Sequence, residues 1–576
     1  MVLNSRNMIS LMAVESEAYS HFDMLEKYVQ EGKDLSDLPI QPLYMMMRSR
    51  PYEEIAVFLS KCSPTQRKIF LDLDLWQRDD LDLENFNFWL RAYSSCPEET
   101  IRLEFAKSSE FSIYLKSKFN IWTFDIEDPQ YPDHDRYFLT EDNLLLFEFD
   151  EDFDCVNEIK RVILDLYSQE GVEKAYTILF KIVSENFLTM QEEEFRFKKE
   201  RLRDIGFVDY YDALDLDSPF PNLDILINFI KKKSKTEAEI SNFGKNQLLP
   251  KSSLISFKDK IGPLEDELQK VRTEKREDFL RFNFLRLVNG MMELDSSLKE
   301  GSVALLRTGS RTKNTLLLGL DYLKKLSLDG IFSVSEESSL LEVFDFSDLY
   351  RVGNTLLKIE QKKLKKALRG SPFEGDKDEF LGSIISENLH LSFENPIKFK
   401  SPYLGFSTKP LDLCDVKTYE EWREFVILIS SLIPFGVKFY EIYQKLAKSG
   451  AICNGYYLNY SVEDLTFESL IMSAFANFKL GFFEKGQENK MGITLDEYKI
   501  FVQGLLDENL KIKNSDELKK SIDDFMLAFG LNKIKDFESL FIFYLKQELE
   551  DADLSELTDE EFKHVGGPII LNSLTE

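Results

Sequence analysis

Histidine and cysteine are scarce in this chain, and the patterns that would make them ligands are missing. The four histidines, His21, His134, His390 and His564, form no HExxH or HxxxH pair and no His/Cys zinc spacing, which removes the zinc enzymes. The five cysteines, Cys62, Cys96, Cys155, Cys414 and Cys453, are odd in number, widely spaced and without a CxxC pair. They read as reduced thiols of a cytoplasmic protein, not as a disulfide framework. Basic charge is short as well. Against 102 Asp and Glu stand 72 Lys and Arg, a net −30 with a pI near 4.8, and this balance repels nucleic acid and anionic lipid. The longest apolar run, 425–437, is interrupted by Ser430, Ser431 and Pro434 and falls short of the roughly 20 residues a bilayer span needs. No membrane insertion is therefore expected, and the broken apolar run before Glu15 and Glu17 holds no signal-peptide core. No repeat of fixed period supports a solenoid. The phosphate-gripping GxxxxGK[ST] spacing is also absent. The stretch 301–315, GSVALLRTGSRTKNT, has the right residue types without the triplet and reads as a helix cap. No cofactor is expected from these patterns.

What the chain has is aromatic side chains and helix signals. With 48 Phe, 23 Tyr and 43% hydrophobic residues, it can fill cores between helices. Its 576 residues imply several domains at about 100 to 200 residues each. Ser63, Pro64 and Gln66 make a capping box with proline at the first helical position, followed by the apolar face Gln66, Ile69, Phe70 and Leu73. After an acidic turn at 79–82, Phe86, Trp89, Leu90 and Tyr93 repeat that spacing. Pro51 opens an earlier helix with the stripe Ile55, Phe58, Leu59 and Cys62, so 51–93 reads as stacked helical hairpins. Thr418 with Glu421, Thr494 with Glu497 and Thr558 with Glu561 are further capping boxes, and the helix from Thr418 is expected to kink or break at Pro434. Helices are expected at 156–168, at 171–188, from Thr189 to Ile205 with a stop at Gly206, and from Leu264 to Glu293.

Strand-like alternation at 120–126, 136–139 and 144–149 predicts a small antiparallel β insert near 120–150. The fold class is predominantly α, built as multi-domain helical bundles or hairpin stacks around that insert. The expected domains are an N-terminal helical domain at 1–218, a linker at 219–262, a middle helical domain at 263–370, an irregular connection at 371–416 and a C-terminal helical domain at 417–576.

Few residues offer chemistry. Asp133, His134 and Asp135 are adjacent in an extended loop and point apart, so they read as a solvated turn and not as a metal site. Asp150, Asp152 and Asp154 imitate the start of a calcium loop, but Cys155 stands where glycine must be and Arg161 where the closing glutamate must be. Lys358, Lys362, Lys365 and Arg369 line one helical face opposite Leu357, Leu364 and Leu368. That face can hold an acidic partner, dock on the chain's own carboxylates or face water. Asp72, Asp74, Asp79 and Asp80 surround Trp76, where paired carboxylates could do acid–base work, although no nucleophile accompanies them. Arg201, Arg203 and Asp204, just before Gly206, could grip another helix end. In the same helix Glu194 with Lys198 and Arg196 with Glu200 are expected to be surface pairs, and Leu188, Phe195, Leu202 and Ile205 the buried edge.

Four blocks, LDLDLWQRDDLDLENFNFWL at 71–90, EEEFRFKKERLRDIGFVDYYDAL at 192–214, RTKNTLLLGLDYL at 311–323 and DLYRVGNTLL at 348–357, with FKHVGGPIIL at 562–571, occur in this order along the chain. Together they resemble a bacterial family catalogued as domain of unknown function 6178, over nearly the full length. The resemblance implies no reaction. Residues 43–90 are also similar to the helical cytoplasmic domain of magnesium transporters, without a ligand set.

Two functions follow as expectations. The first is a non-catalytic helical interaction scaffold or regulatory adaptor, bacterial and cytoplasmic, with a protein partner and no nucleic acid. The second is an enzyme of unrecognised type using Asp72, Asp74 or Asp79 near Trp76. The binding candidates are Asp72, Asp74, Trp76, Asp79, Arg201 and Asp204. No catalytic residue and no metal ligand is assigned.

Overall fold

The computed structural model describes residues 29–32, 35–37, 40–77, 80–235, 262–300, 302–333, 338–375, 377–401, 409–449, 466–482, 494–513 and 515–550, with positions 27 and 558 beside them. Helices α1 (Ile40–Arg48), α2 (Tyr52–Leu59) and α3 (Pro64–Asp74) come first, then the paired strands β1 (Trp76–Gln77) and β2 (Asp80–Leu81). Next are α4 (Leu83–Ser94), α5 (Glu99–Ala106) and α6 (Ser109–Lys118), followed by β3 (Phe119–Thr123), β4 (Tyr137–Leu139) and β5 (Leu145–Phe149). The helices α7 (Val156–Glu170), α8 (Val172–Ser184), α9 (Phe187–Asp204), α10 (Tyr210–Asp217), α11 (Leu223–Lys233), α12 (Pro263–Gln269) and α13 (Glu274–Leu294) continue the chain. Then come α14 (Ser302–Leu328), α15 (Phe346–Leu368), α16 (Ser383–Phe393), β6 (Lys398–Phe399) and β7 (Leu411–Asp412). The last are α17 (Val416–Ser449), α18 (Phe467–Lys479), α19 (Leu495–Leu505), α20 (Asp516–Ala528) and α21 (Phe537–Leu549). The protein is thus predominantly α-helical, and its strands are few, short and antiparallel.

Two compact units divide the chain. The first contains Met1–Ser218, Asn228–Leu316 and Leu326–Arg351, and the second Pro219–Ile227, Leu317–Lys325 and Val352–Glu576.

Local chemistry explains the element ends in the first unit. Ser63 Oγ accepts the Gln66 N–H at 3.2 Å while Gln66 Oε1 accepts the Ser63 N–H at 2.8 Å, so the expected box starts α3, with Pro64 contributing its preset φ. Gln66 is buried because its amide also donates to the Leu35 carbonyl at 3.0 Å. At the far end of α9, Gly206 adopts φ +91°, its N–H reaches Arg203 O and the Phe207 N–H reaches Leu202 O at 3.0 Å. This is a Schellman stop. A side chain at Gly206 would also meet Leu285 at 3.0 Å, so glycine is required twice over. The β insert forms where expected, as a sheet in the order β3-β5-β4 whose centre, Leu145, Leu146 and Phe147, is buried. Phe138 stacks on Phe147 at 5.0 Å and Phe119 meets it edge-on at 5.8 Å.

Several expectations change. The segment 264–293 is two helices, because Thr273 Oγ1 accepts the Arg276 N–H at 3.3 Å and starts α13 afresh. The described part of the 301–315 stretch, Ser302 to Thr315, is not a cap but lies within α14, with Thr312 donating to the Thr308 carbonyl at 2.8 Å. The cap of α17 is Asp415 and not Thr418, since Asp415 Oδ1 accepts the Thr418 N–H at 2.8 Å. That helix runs unbroken past Pro434, which sits on its exposed side, where water can reach the carbonyl left without a donor. Within it, Val416–Lys445 is long and apolar enough to cross a membrane by length and composition alone, while 47% of its apolar window is buried inside the protein. The Thr494 and Glu497 box starts α19 as expected, and the Thr558 box falls on Glu561, outside the described residues.

In the second unit, α18 to α21 enclose phenylalanines. Phe475 contacts Phe525 and Phe541 at 5.1 Å each, Phe525 meets Phe529 at 4.8 Å, and all four rings are buried.

Candidate functional site

Asp72 and Asp74 are two residues apart on α3, about 200° around the helix, so they face different neighbours. Asp74 is buried and points to α1 and α4. It accepts from Tyr44 Oη at 2.9 Å, Arg48 Nε at 2.8 Å and Trp89 Nε1 at 2.7 Å. Arg48 continues to Asn85 Oδ1 at 2.7 Å and lies 4.1 Å from the Phe88 ring centre. Burial, and then the Asp74 carboxylate, push the Tyr44 phenol well above its ordinary range, so it stays a donor.

Asp72 points to α9. Arg201 grips it bidentately, Nε to Oδ2 and a terminal nitrogen to Oδ1, each at 2.7 Å, and the same nitrogen reaches Glu194 Oε1 at 2.6 Å. Lys68, one turn before Asp72, holds both oxygens of the fully buried Glu110 at 2.7 and 2.6 Å and Glu194 at 3.0 Å. Three helices, α3, α6 and α9, are therefore stitched by three carboxylates and two cations. Oxygens of Asp72, Glu110 and Glu194 lie within 4.8 Å of one another, a spacing that could hold a metal ion. The protein's own Lys68 and Arg201 already bind these oxygens, so the cluster is a salt-bridge seam. With every group ionised it carries one net negative charge. Burial pushes the Glu110 carboxyl up to about 7, with Lys68 opposing and Glu194 and Asp72 adding to the rise, so one proton near neutrality balances the seam. Burial also acts on Glu194, but Lys68 and Arg201 prevail and hold its carboxyl below the usual range.

Beside the seam, Trp76 is buried against Phe195, ring centres 6.1 Å apart, and among the described residues its indole N–H has no hydrogen-bond partner. Lys198 sits 5.3 Å from both ring centres. Burial pushes its ammonium down to about 8, against the opposing charges of Glu293, Asp72 and Asp209.

Of the sequence candidates, the structure brings Asp72 and Arg201 together and places Trp76 beside them. Asp74 belongs to a separate cluster, Asp204 is exposed at the end of α9, and Asp79 lies outside the described residues. Sequence reasoning passed over Lys68 and Glu110 and assigned Glu194 to the surface. In fact Gln191 and Glu194 are the buried residues of α9, Leu188 is 65% exposed, and Glu194 pairs inward with Lys68 and Arg201 instead of with Lys198. A signal was present: Lys68 and Asp72 are at i, i+4, and Glu194 and Arg201 at i, i+7, each pair on one helical face.

The remaining candidates hold no special geometry. His134 Nε2 pairs with Glu148 at 2.9 Å, and Asp154 with Arg91 at 2.7 Å. In the second unit an open cleft of about 350 Å³ is lined by Phe399, Glu421, Glu424, Phe425 and Asp536.

No curated protein and no solved structure matches the chain. The sequence profile described as "Family of unknown function (DUF6178)" matches residues 17–529, which contain both halves of the seam, and the chain belongs to that family.

Proposed function

We propose that this protein is a non-catalytic helical interaction scaffold or regulatory adaptor that works in the cytoplasm of a bacterium through a protein partner. One observation carries the reading: the carboxylates gathered on and around α3 are engaged by the protein's own donors. Both oxygens of Asp72 and of Glu110 are bound to Arg201 and Lys68, and Asp74 accepts from three side chains. Groups held this way, every oxygen in an ion pair or hydrogen bond to the chain's own side chains, orient helices. Affinity purification of the full chain at native abundance should recover one partner in fixed stoichiometry. A chain that is solitary by light scattering in fresh lysate and after purification would end the proposal.

A second reading, an enzyme of unrecognised type, has one observation in its favour, the Lys198 amine beside Trp76 and Phe195, with no carboxylate ion pair among the described residues. An amine pushed down to about 8 should react with a limiting amine-directed ester at pH 7.5 well before the ion-paired Lys199 does. Equal rates at the two lysines would remove that reading.

A further inference from the structure

We infer that the exposed face of α15 docks an acidic polypeptide segment of a partner protein, which deepens the scaffold reading above and rests on it. Lys358, Lys362, Lys365, Lys366 and Arg369 are all exposed, at spacings of three and four residues, and form a stripe about 16 Å long. The other side of the helix, Leu356, Leu357, Leu364 and Leu368, is buried, so the stripe is held rigidly outward. Among the described residues none of these five cations has an ion-pair partner. Their neighbour Lys363 has one, in Glu360 at 2.8 Å. In a chain with 30 more acidic than basic groups, an unrelieved cationic row is the exception. Like charges one turn apart destabilise a helix. The helix dipole offsets this for Lys365 and Lys366 in the last turn and for Arg369 just past it, but not for Lys358 and Lys362.

The chemistry of the stripe selects among anionic partners. Every exposed side chain of α15 from 358 on is a lysine, with no aromatic ring on which a base could stack and no apolar side chain to enter a bilayer. A peptide with carboxylates at helical spacing matches the row charge for charge. The net negative charge of the rest of the chain does not prevent such a contact, because at physiological salt its field decays over about 8 Å while the lysines meet the ligand directly.

The test uses the purified full chain with a fluorescein-labelled oligoglutamate peptide at 0.15 M salt. Anisotropy should show saturable binding that weakens at least tenfold in the Lys362→Glu, Lys365→Glu, Lys366→Glu variant and severalfold in the corresponding Lys→Gln variant. The latter keeps helix propensity and guards against misfolding. Unchanged peptide binding in both variants overturns the inference. So does tighter binding, with the same dependence on these lysines, of single-stranded RNA of equal charge or of phosphatidylserine vesicles. Peptide binding that appears only after truncation beyond Glu550 would assign the stripe to the chain's own acidic 551–561 stretch, and overturns it too. The two readings remain separable. A partner that co-purifies equally with the Lys→Glu variant sinks the stripe and leaves the scaffold, whereas peptide binding in a chain that recruits no partner does the reverse.

Discussion

The seam of α3, α6 and α9 and the bundle of α18 to α21 solve the same problem, holding helices together, with opposite chemistry. In the bundle, Phe475, Phe525 and Phe541 contribute large apolar areas that need only volume and approximate shape. In the seam, Asp72, Glu110 and Glu194 must leave water, and Lys68 and Arg201 return little more than that desolvation cost. The contrast teaches that the bundle should tolerate conservative change and the seam should not. Charge pairing contributes less net stability than it contributes exactness of fit, because each of its hydrogen bonds tolerates only one register of the three helices.

The sharpest break of this comparison is Arg201→Leu. It leaves Asp72 and Glu194 buried with one cation fewer, and the first unit should lose about 3–5 kcal/mol. Leu470→Met in α18, at a fully buried position but volume-conserving, should cost less than about 1.5 kcal/mol. Hydrogen exchange read by mass spectrometry locates each loss, in α3 and α9 for the first and in α18 for the second. Equal losses would erase the distinction.

Next in size is the proton on the seam. With the Glu110 carboxyl at about 7 when folded and near 4.5 when unfolded, the folded chain binds more protons between those values. Stability must therefore fall as pH rises through that window, by on the order of 3 kcal/mol once pH exceeds 7. Glu468 is also pushed up to about 7 by burial and acts with the same sign in the second unit, so the wild-type slope alone does not isolate Glu110. The difference between wild type and Glu110→Gln does. Denaturant titrations at pH 5 and pH 7.5 should show the smaller loss in the variant, and identical losses would mean that the seam carries no proton.

How much of this could be read from the sequence follows the same division. The start of α3 at Ser63 and the stop of α9 at Gly206 are legible because each rests on residues within about one and a half helical turns of one another. The predominantly helical class and the β insert were legible from periodicity. The seam was legible only in pieces. Asp72 and Arg201 stood out separately, but their pairing joins residues far apart in the chain, and nothing local announces it. On α9 the pattern pointed the wrong way. Apolar Leu188 suggested the inner face and charged Glu194 the outer, since a charge reads as solvated until its partners are known, and those partners come from α3 and α6. The interruptions of the 425–437 run do not break the helix, because side chains such as Ser430 bond the preceding turn, here Val426 O at 2.6 Å.

The bundle has a polar intruder of its own, Asn477, and it sharpens the comparison from the other side. Asn477 is fully buried in α18, and among the described residues neither its amide nitrogen nor its amide oxygen has a hydrogen-bond partner. Unlike the seam carboxylates, it carries the desolvation cost without compensation. Asn477→Leu should therefore stabilise the second unit by about 1–3 kcal/mol, seen as a higher denaturant midpoint. A lower midpoint would show that Asn477 is held by contacts of its own.

The smallest expected effect tests which face of α9 is inside. If Leu188, Phe195, Leu202 and Ile205 formed the buried edge, Leu188→Glu would place a charge in the core and cost several kcal/mol. In the structure Leu188 is 65% exposed, two residues into the helix, with Asn186 Oδ1 accepting its backbone N–H at 2.9 Å. That cap bond is a backbone contact which the substitution keeps, and a carboxylate in the first turn is favoured by the helix dipole. Leu188→Glu should therefore change stability by no more than about 0.5 kcal/mol, and it should leave the exchange protection of α9 as it was. Glu194→Leu is the natural counterpart on the opposite face, because it leaves Arg201 and Lys68 short of a carboxylate. Its loss should exceed that of Leu188→Glu severalfold. A reversal of that order would return α9 to an apolar-edged helix and remove the seam as the feature that holds it.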